Sequence, residues 1–153
     1  AIAAAGEAGI RVMAAFENAF YLADEFDGVI RPHANGPVYS SAGMDRVAYV
    51  IDDILSALES QGLEVEQAIN EYGPGQQEIS IRYTDALRAA DNQLKFRDTV
   101  RDVAEVPHDL IASFAPTPCA DVVASGAPVH FSLWSTHRDR NRLHCAARGD
   151  RVL

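Results

Sequence analysis

Two stretches that alternate apolar and polar residues, 63–70 and 77–83, are separated by the tripeptide Gly73-Pro74-Gly75. Period-two alternation marks a half-buried strand, because successive side chains point to opposite faces of a sheet. Gly-Pro-Gly cannot continue either strand. Proline has no N–H to give to a ladder, and glycine accepts the backbone angles of a tight turn. The segment is therefore a hairpin, and the chain has to build a sheet around it. Glu71 and Glu78 flank the turn, which puts two carboxylates near one corner of that sheet. Carboxylates are hard oxygen ligands that suit Mg²⁺ or Mn²⁺. The same residues also describe a tight turn beside two solvated acids.

The remaining elements follow from the same patterns. Residues 3–8 read as the end of a helix, stopped near Gly9. Residues 11–22 alternate, with Val12, Ala14, Phe16, Phe20 and Leu22 on one face and Arg11, Glu17 and Tyr21 on the other. Residues 24–43 hold prolines and glycines and are predicted as one loop, long enough to cover a site. Residues 44–61 form an amphipathic helix with Val47, Ile51, Ile54, Leu55 and Leu58 inward, ended by Gly62. Thr84 or Asp85 caps a second helix that runs to about Glu105, with Leu87, Ala90, Leu94, Val100 and Val103 inward, and Pro107 stops it. Residues 110–115 are a strand and 116–126 a loop. In a last strand Val129, Phe131 and Leu133 alternate with His130, Ser132 and Trp134. Long helices among hairpin-linked strands give an α+β fold: a largely antiparallel sheet with two long helices on one face and the other face free for chemistry. A chain of 153 residues suits one domain, 1–153, with a real core.

Composition narrows the function. A formal net charge of −9 opposes non-specific binding to nucleic acid, which is dominated by phosphate contacts. Basic residues gather only near the end, at Arg138, Arg140, Arg142, Arg148 and Arg151; a frayed, solvated tail is the favoured reading, and contact with nucleotide phosphate the other. Cys119 and Cys145 lack CxxC spacing, which fits a cytoplasmic protein with incidental thiols. No apolar run is long enough to span a bilayer, so no membrane partner is expected. The opening AIAAAGEAGI is no signal peptide, and the missing initiator Met with the abrupt end suggests a piece of a larger protein. No HxH or HExxH spacing points to zinc, no GxGxxG or Walker loop to a P-loop nucleotide site, and no GxSxG to a serine hydrolase. Ser40, Ser41 and Ser125 have no base at a readable spacing.

Side chains two apart on a strand share a face. Glu17, with Ala19 after it, Glu78, and His130 with Ser132 therefore fall on the polar faces of three strands. A solvated sheet face would mix in Lys and Thr. This one has acids, His and no Lys, which tilts it toward a cation or nucleotide. His33, His108, His137 and His144 fall in predicted loops and receive no role.

Four segments now resemble, in order, those of the glutamine synthetase family. Residues 15–22, AFENAFYL, resemble its E-x-E-F-F-L strand. Residues 71–79 resemble its E-x-x-P-G-Q-x-E-I hairpin, and residues 85–97, DALRAADNQLKFR, its D-A-x-x-A-A-D helix. Residues 113–133 resemble its F-M-P-K-P loop followed by G-S-G-M-H-x-H-x-S-L. The resemblance implies an ATP-dependent ligase that joins the γ-carboxylate of glutamate to ammonia or an amine through γ-glutamyl phosphate, with Mg²⁺ or Mn²⁺, in a homo-oligomer.

The same resemblance makes Glu71 and Glu78 ligands of one ion and Glu17 a ligand of another. His130 and Ser132 match nucleotide-site residues, and Glu66 falls where the family has a glutamate near the nucleotide. Several positions depart from the pattern. The second Glu of E-x-E is Ala19, the first His of H-x-H is Pro128, the lysine of F-M-P-K-P is Thr117, and the Gly before Ser125 is Ala124. The family also uses an N-terminal domain, a neighbouring subunit and a C-terminal arginine-bearing stretch outside these motifs. Two readings result: a glutamate–ammonia or glutamate–amine ligase, or an inactive, truncated domain of that family serving as a binding or scaffold module.

Overall fold

The computed structural model describes residues 1–34, 36–118, 123–137 and 140–143. The sequence features at Cys119, Arg138, His144, Cys145, Arg148 and Arg151 lie outside them. After a short helix α1 (Ile2–Glu7), the chain enters a long strand β1 (Ile10–Phe26) and turns back as β2 (Val29–Pro32). Two helices follow, α2 (Ser41–Asp45) and α3 (Ala48–Ser60). The hairpin β3 (Val65–Asn70) and β4 (Gln76–Ile81) comes next, then β5 (Thr84–Asp85), the long helix α4 (Ala86–Glu105), β6 (Ile111–Ser113) and β7 (Val129–Ser135). The strands form one antiparallel sheet with the path β2-β1-β4-β3, and β5, β6 and β7 also pair with β1. This is the expected α+β arrangement. Among the described residues no helix is long and apolar enough to cross a membrane.

The turn between β3 and β4 explains its composition. Gly75 has a φ of +75°, and a Cβ there would come within 2.6 Å of the Leu22 carbonyl oxygen, so only glycine fits without a shift. The Gly75 carbonyl in turn accepts from the Leu22 N–H at 2.9 Å, which ties the turn to β1.

The predicted loop 24–43 is in fact structured. β1 continues to Phe26, and Asp27 and Gly28, both at positive φ, make the turn into β2. Asp-Gly between two strands is a strong hairpin signal, masked in the sequence by the prolines and glycines that follow. The segment then forms α2, with Ser40 Oγ capping the Gly43 N–H at 3.0 Å. The helix predicted from residue 44 is thus two helices, and α3 starts at Ala48.

The core sits between one sheet face and helices α3 and α4. Phe20 and Leu22 of β1, Ile79 and Ile81 of β4, Val50, Ile51, Ile54 and Leu58 of α3, and Phe96, Val100 and Ala104 of α4 are all buried. Three aromatic rings lock the layers together. Phe20 lies 6.3 Å from Phe96 and 5.5 Å from Phe114, and Phe96 lies 6.0 Å from Phe114. The first half of helix α4 turns a different stripe inward from the one expected, whereas in its second half Val100 is buried and Val103 packs against the core as expected. Leu87 and Leu94 are 61% and 67% exposed, and Ala90 is also exposed, whereas Ala89 and Phe96 are buried. Leu87 and Ala89 are about 200° apart around the helix, so only one of the two stripes can face the sheet. The Phe96 ring, matched to Phe20, decides which.

Truncating Phe20 to Ala should therefore cost about 3–5 kcal/mol of stability. Leu94→Ala should stay within about 0.5 kcal/mol of the parent. Urea unfolding of both variants checks the pair; a large loss at Leu94 would contradict this orientation of α4.

Candidate functional site

Register places the polar face. On β1, Glu17 pairs with Ser80, Ala19 with Glu78 and Tyr21 with Gln76 of β4. On β1's other edge, Ala15 pairs with His130 and Met13 with Ser132 of β7. The same ladder continues past β7, where the Glu17 N–H donates to the Pro128 carbonyl at 3.2 Å and the Ala19 N–H to the Gly126 carbonyl at 3.1 Å. Cross-strand partners share a face, so Glu17, Glu78, His130 and Ser132 lie on the face away from the helices.

Two of these groups touch. His130 Nε2 is 3.0 Å from Glu17 Oε1, with both side chains about half exposed. A carboxylate only accepts, so Nε2 carries the hydrogen. Glu78 is half-buried beside them, and its carboxyl pKa is raised. Desolvation is the largest cause, followed by the negative charges of Glu71 and Glu17, with His130 pulling the other way. Glu71, Glu17, Glu78 and His130 therefore form one electrostatic group.

Glu71 has a neighbour that the sequence did not single out. Tyr39 donates to Glu71 Oε2 at 3.4 Å, and its ring meets that of Tyr72 edge-on at 5.3 Å. Desolvation and then Glu71 push the Tyr39 pKa up to about 12. Asn70 places this tyrosine: its carbonyl accepts from the Tyr39 N–H at 3.3 Å, and its Nδ2 donates to the Pro37 carbonyl at 2.8 Å. Sequence separation of more than thirty residues hid the pairing. The loop after β6 folds onto the same face. Tyr21 donates its hydroxyl to the Val123 carbonyl at 2.5 Å, and Gln76 Nε2 donates to Ser125 Oγ at 3.2 Å. Ala19, 8% exposed, lies on the strand between these anchors.

The other two sequence-selected residues stand apart. Ser132 Oγ accepts from Trp134 Nε1 at 2.9 Å. Glu66 sits at the β3 bulge, exposed and within electrostatic reach of Arg82. With β4 and β1 between β3 and β7, Glu66 is at least about 14 Å from His130 across the sheet, so both cannot touch one phosphate group.

The donors suit a hard divalent cation in kind. In number they fall short of a closed cage: among the described residues no three His, Cys, Asp or Glu groups are close enough to hold an ion together. Ala19, in register with Glu78, offers a methyl group where a third carboxylate would stand. Mg²⁺ is commonly held by one or two carboxylates with water and phosphate oxygens completing the shell, so Glu71 and Glu78 are the residues that would hold such an ion.

The raised Glu78 pKa fixes the sign of a pH effect. The native state keeps a proton that the unfolded chain has already released, so stability falls as pH climbs from the ordinary carboxylate range through the Glu78 titration. Glu78→Gln should flatten that slope and raise the melting midpoint at neutral pH. Melting curves taken across acid to neutral pH for parent and variant test this; a lower midpoint for the variant at neutral pH would contradict it.

Comparison with known proteins agrees with this architecture. The sequence profile of the glutamine synthetase catalytic domain matches residues 1–149. Type-1 glutamine synthetase 1 of Dictyostelium discoideum is 34% identical over 139 residues, covering 84% of this chain and 28% of that protein. A glutamate–isopropylamine ligase of a Pseudomonas species is 30% identical over 142 residues, covering 87% and 31%. The solved structure of GmaS without ligand superposes with a TM-score of 0.85 at 29% identity, covering 95% of this chain and 35% of that one. The chain thus spans about a third of the length of the relatives it matches. With its profile matched almost from end to end and its sheet superposing on that of a relative, the chain belongs to the glutamine synthetase family, within the catalytic domain.

Proposed function

We propose that this chain serves an ATP-dependent ligase that joins the γ-carboxylate of glutamate to ammonia or an amine by way of γ-glutamyl phosphate. The observation that carries this reading is the convergence of Glu17, Glu71, Glu78 and His130 on the helix-free face. Glu71 and Glu78 would hold Mg²⁺ or Mn²⁺, with Glu17 toward a second ion; the cation would neutralise charge on the transferred phosphoryl group. The chain's own residues do the rest. His130, held by Glu17, presents an imidazole edge to the nucleotide side, and Ser132 offers a hydroxyl two residues along. Glu66 would meet the nucleotide at its other end. Tyr39 stands over Glu71 and limits what approaches that carboxylate.

A second reading, a domain that binds but does not turn over, is favoured by two specific positions. Ala19 faces Glu78 across the β1–β4 ladder, and Pro128 adjoins Glu17 through its carbonyl. Neither side chain can ligate. Losing one donor from each of two ions weakens the charge neutralisation on which phosphoryl transfer depends.

One set of measurements separates the two. The 153-residue chain is incubated with ATP, Mg²⁺, glutamate and ammonia or a series of alkylamines, and γ-glutamyl amide is measured. Steady amide formation supports the ligase reading for these residues alone. Because these residues span only about a third of the relatives' length, we expect none from them alone, with Mn²⁺ still binding weakly by calorimetry; an absence of Mn²⁺ binding would count against the ligase reading. In the Ala19→Glu, Pro128→His double variant, Mn²⁺ affinity should rise about tenfold, about 1.4 kcal/mol. An unchanged affinity would count against the shared face.

A further inference from the structure

A second polar constellation gathers at the hairpin formed by β1 and β2, on the helix side of the sheet and away from the acidic face. Asp24, near the end of β1, places both carboxylate oxygens 2.8 Å from His33 Nδ1. His33 follows β2, and its backbone N–H donates to the Leu22 carbonyl at 2.9 Å, which anchors the residue to the sheet. On the far side of that ring, His33 Nε2 is 2.7 Å from the Tyr49 hydroxyl in the first turn of α3. The tautomer follows from the partners. Asp24 can only accept, so Nδ1 carries the hydrogen; in the neutral ring Nε2 is then a bare lone pair, and the Tyr49 O–H must donate to it. A carboxylate orienting an imidazole, whose free nitrogen takes the proton of a hydroxyl, is the arrangement that activates a nucleophile by general base.

The tyrosine ring is held from its other side as well. The His108 ring meets it edge-on at 5.1 Å, and His108 Nε2 is 2.9 Å from Asp53, one helical turn after Tyr49. Tyr49 is 47% exposed, so the residue can be reached from solvent. Burial and then the Asp24 charge hold its pKa above the ordinary tyrosine value, so the phenol stays protonated until a base removes the proton. General-base help matters most for such a group.

We propose that Tyr49 is a nucleophilic tyrosine that accepts an acyl group from an activated ester, with His33 as base and Asp24 as the residue that positions it. The Tyr49 oxygen attacks the acyl carbon while its proton passes to His33 Nε2. The bond from the acyl carbon to the ester oxygen then breaks, its electron pair leaving with that oxygen as phenolate or alkoxide. The products are an O-acyl tyrosine and the alcohol or phenol, which recovers the proton from His33.

p-Nitrophenyl acetate is the probe, used on the full 153-residue chain. Released p-nitrophenolate gives the total rate, and peptide mass mapping gives the site. Hydroxylamine removes acetyl from tyrosine oxygen and leaves it on the Lys95 amine. Tyr83 is the internal reference, because at 46% exposed it matches Tyr49 and, among the described residues, no histidine hydrogen-bonds to it. Tyr49 should acetylate on the order of 10²-fold faster than Tyr83. His33→Gln should bring Tyr49 down to the Tyr83 rate, and Asp24→Asn should cause a smaller drop, with Tyr83 unchanged in each. Equal rates at Tyr49 and Tyr83 in the parent chain, or a Tyr49 rate that survives His33→Gln, would overturn the proposal. The parent comparison decides it even where a variant does not fold.

Discussion

Everything in this fold hangs on β1. Every other strand except β3 pairs with it, and β3 reaches it through β4. Both of its edges are used, so few of its backbone groups lack a partner, as a buried strand requires. Its two faces have opposite jobs. Phe20 and Leu22 anchor the core on the helix side, while Glu17 and Ala19 face the polar side between Glu78 and the segment leading into β7. Because side chains alternate strictly, a slip of one residue would exchange the two faces. The Phe20–Phe96–Phe114 cluster prevents that slip, and so the aromatic core sets where the carboxylates stand.

The polar face is an assembly of like charges. Glu71, Glu78 and Glu17 repel one another, and His130 offsets only part of that. A protein without a use for such a face would do better with amides or hydroxyls, since an unpaired carboxylate that loses water is unfavourable. Desolvation first, and then this excess of negative charge, raises both the Glu78 carboxyl and the Tyr39 hydroxyl beside Glu71. A divalent cation or an ammonium group would relieve it, and those are the chemistries the family's substrates and metals supply.

Much of this was legible in the residues, and what was missed has physical causes. The β3–β4 hairpin, both long helices and the shared face of Glu17, Glu78 and His130 follow from period and turn chemistry alone. The region 24–43 did not, because Pro32, Pro37, Gly36 and Gly43 read as a loop, whereas Pro32 closes a short strand and Gly43 is buried in a capped turn. The first half of the inward α4 stripe was misjudged, while Val100 and Val103 fell as expected, because Leu87 and Leu94 offer as apolar a stripe as Ala89 with Phe96; only the tertiary match of Phe96 to Phe20 distinguishes the two. His33 and His108 looked idle for a related reason. Their partners, Asp24, Tyr49 and Asp53, come from other elements, and no spacing rule links them.

The departures at Ala19 and Pro128 also explain how the frame persists while the site changes. A second carboxylate at position 19 would lie beside Glu78 on the same face, adding repulsion and desolvation that only a bound cation offsets. Alanine there removes that cost. Proline 128 loses no ladder bond, because the contact at that rung runs from the Glu17 N–H to the proline's carbonyl, and proline keeps its carbonyl. Both substitutions are therefore neutral or favourable to the fold without metal, and unfavourable only to the ion. Stability without metal and affinity for a cation would pull in opposite directions at these two positions. Alanine and proline suit the fold without metal, while Glu71 and Glu78 keep a like-charge repulsion that a cation would relieve.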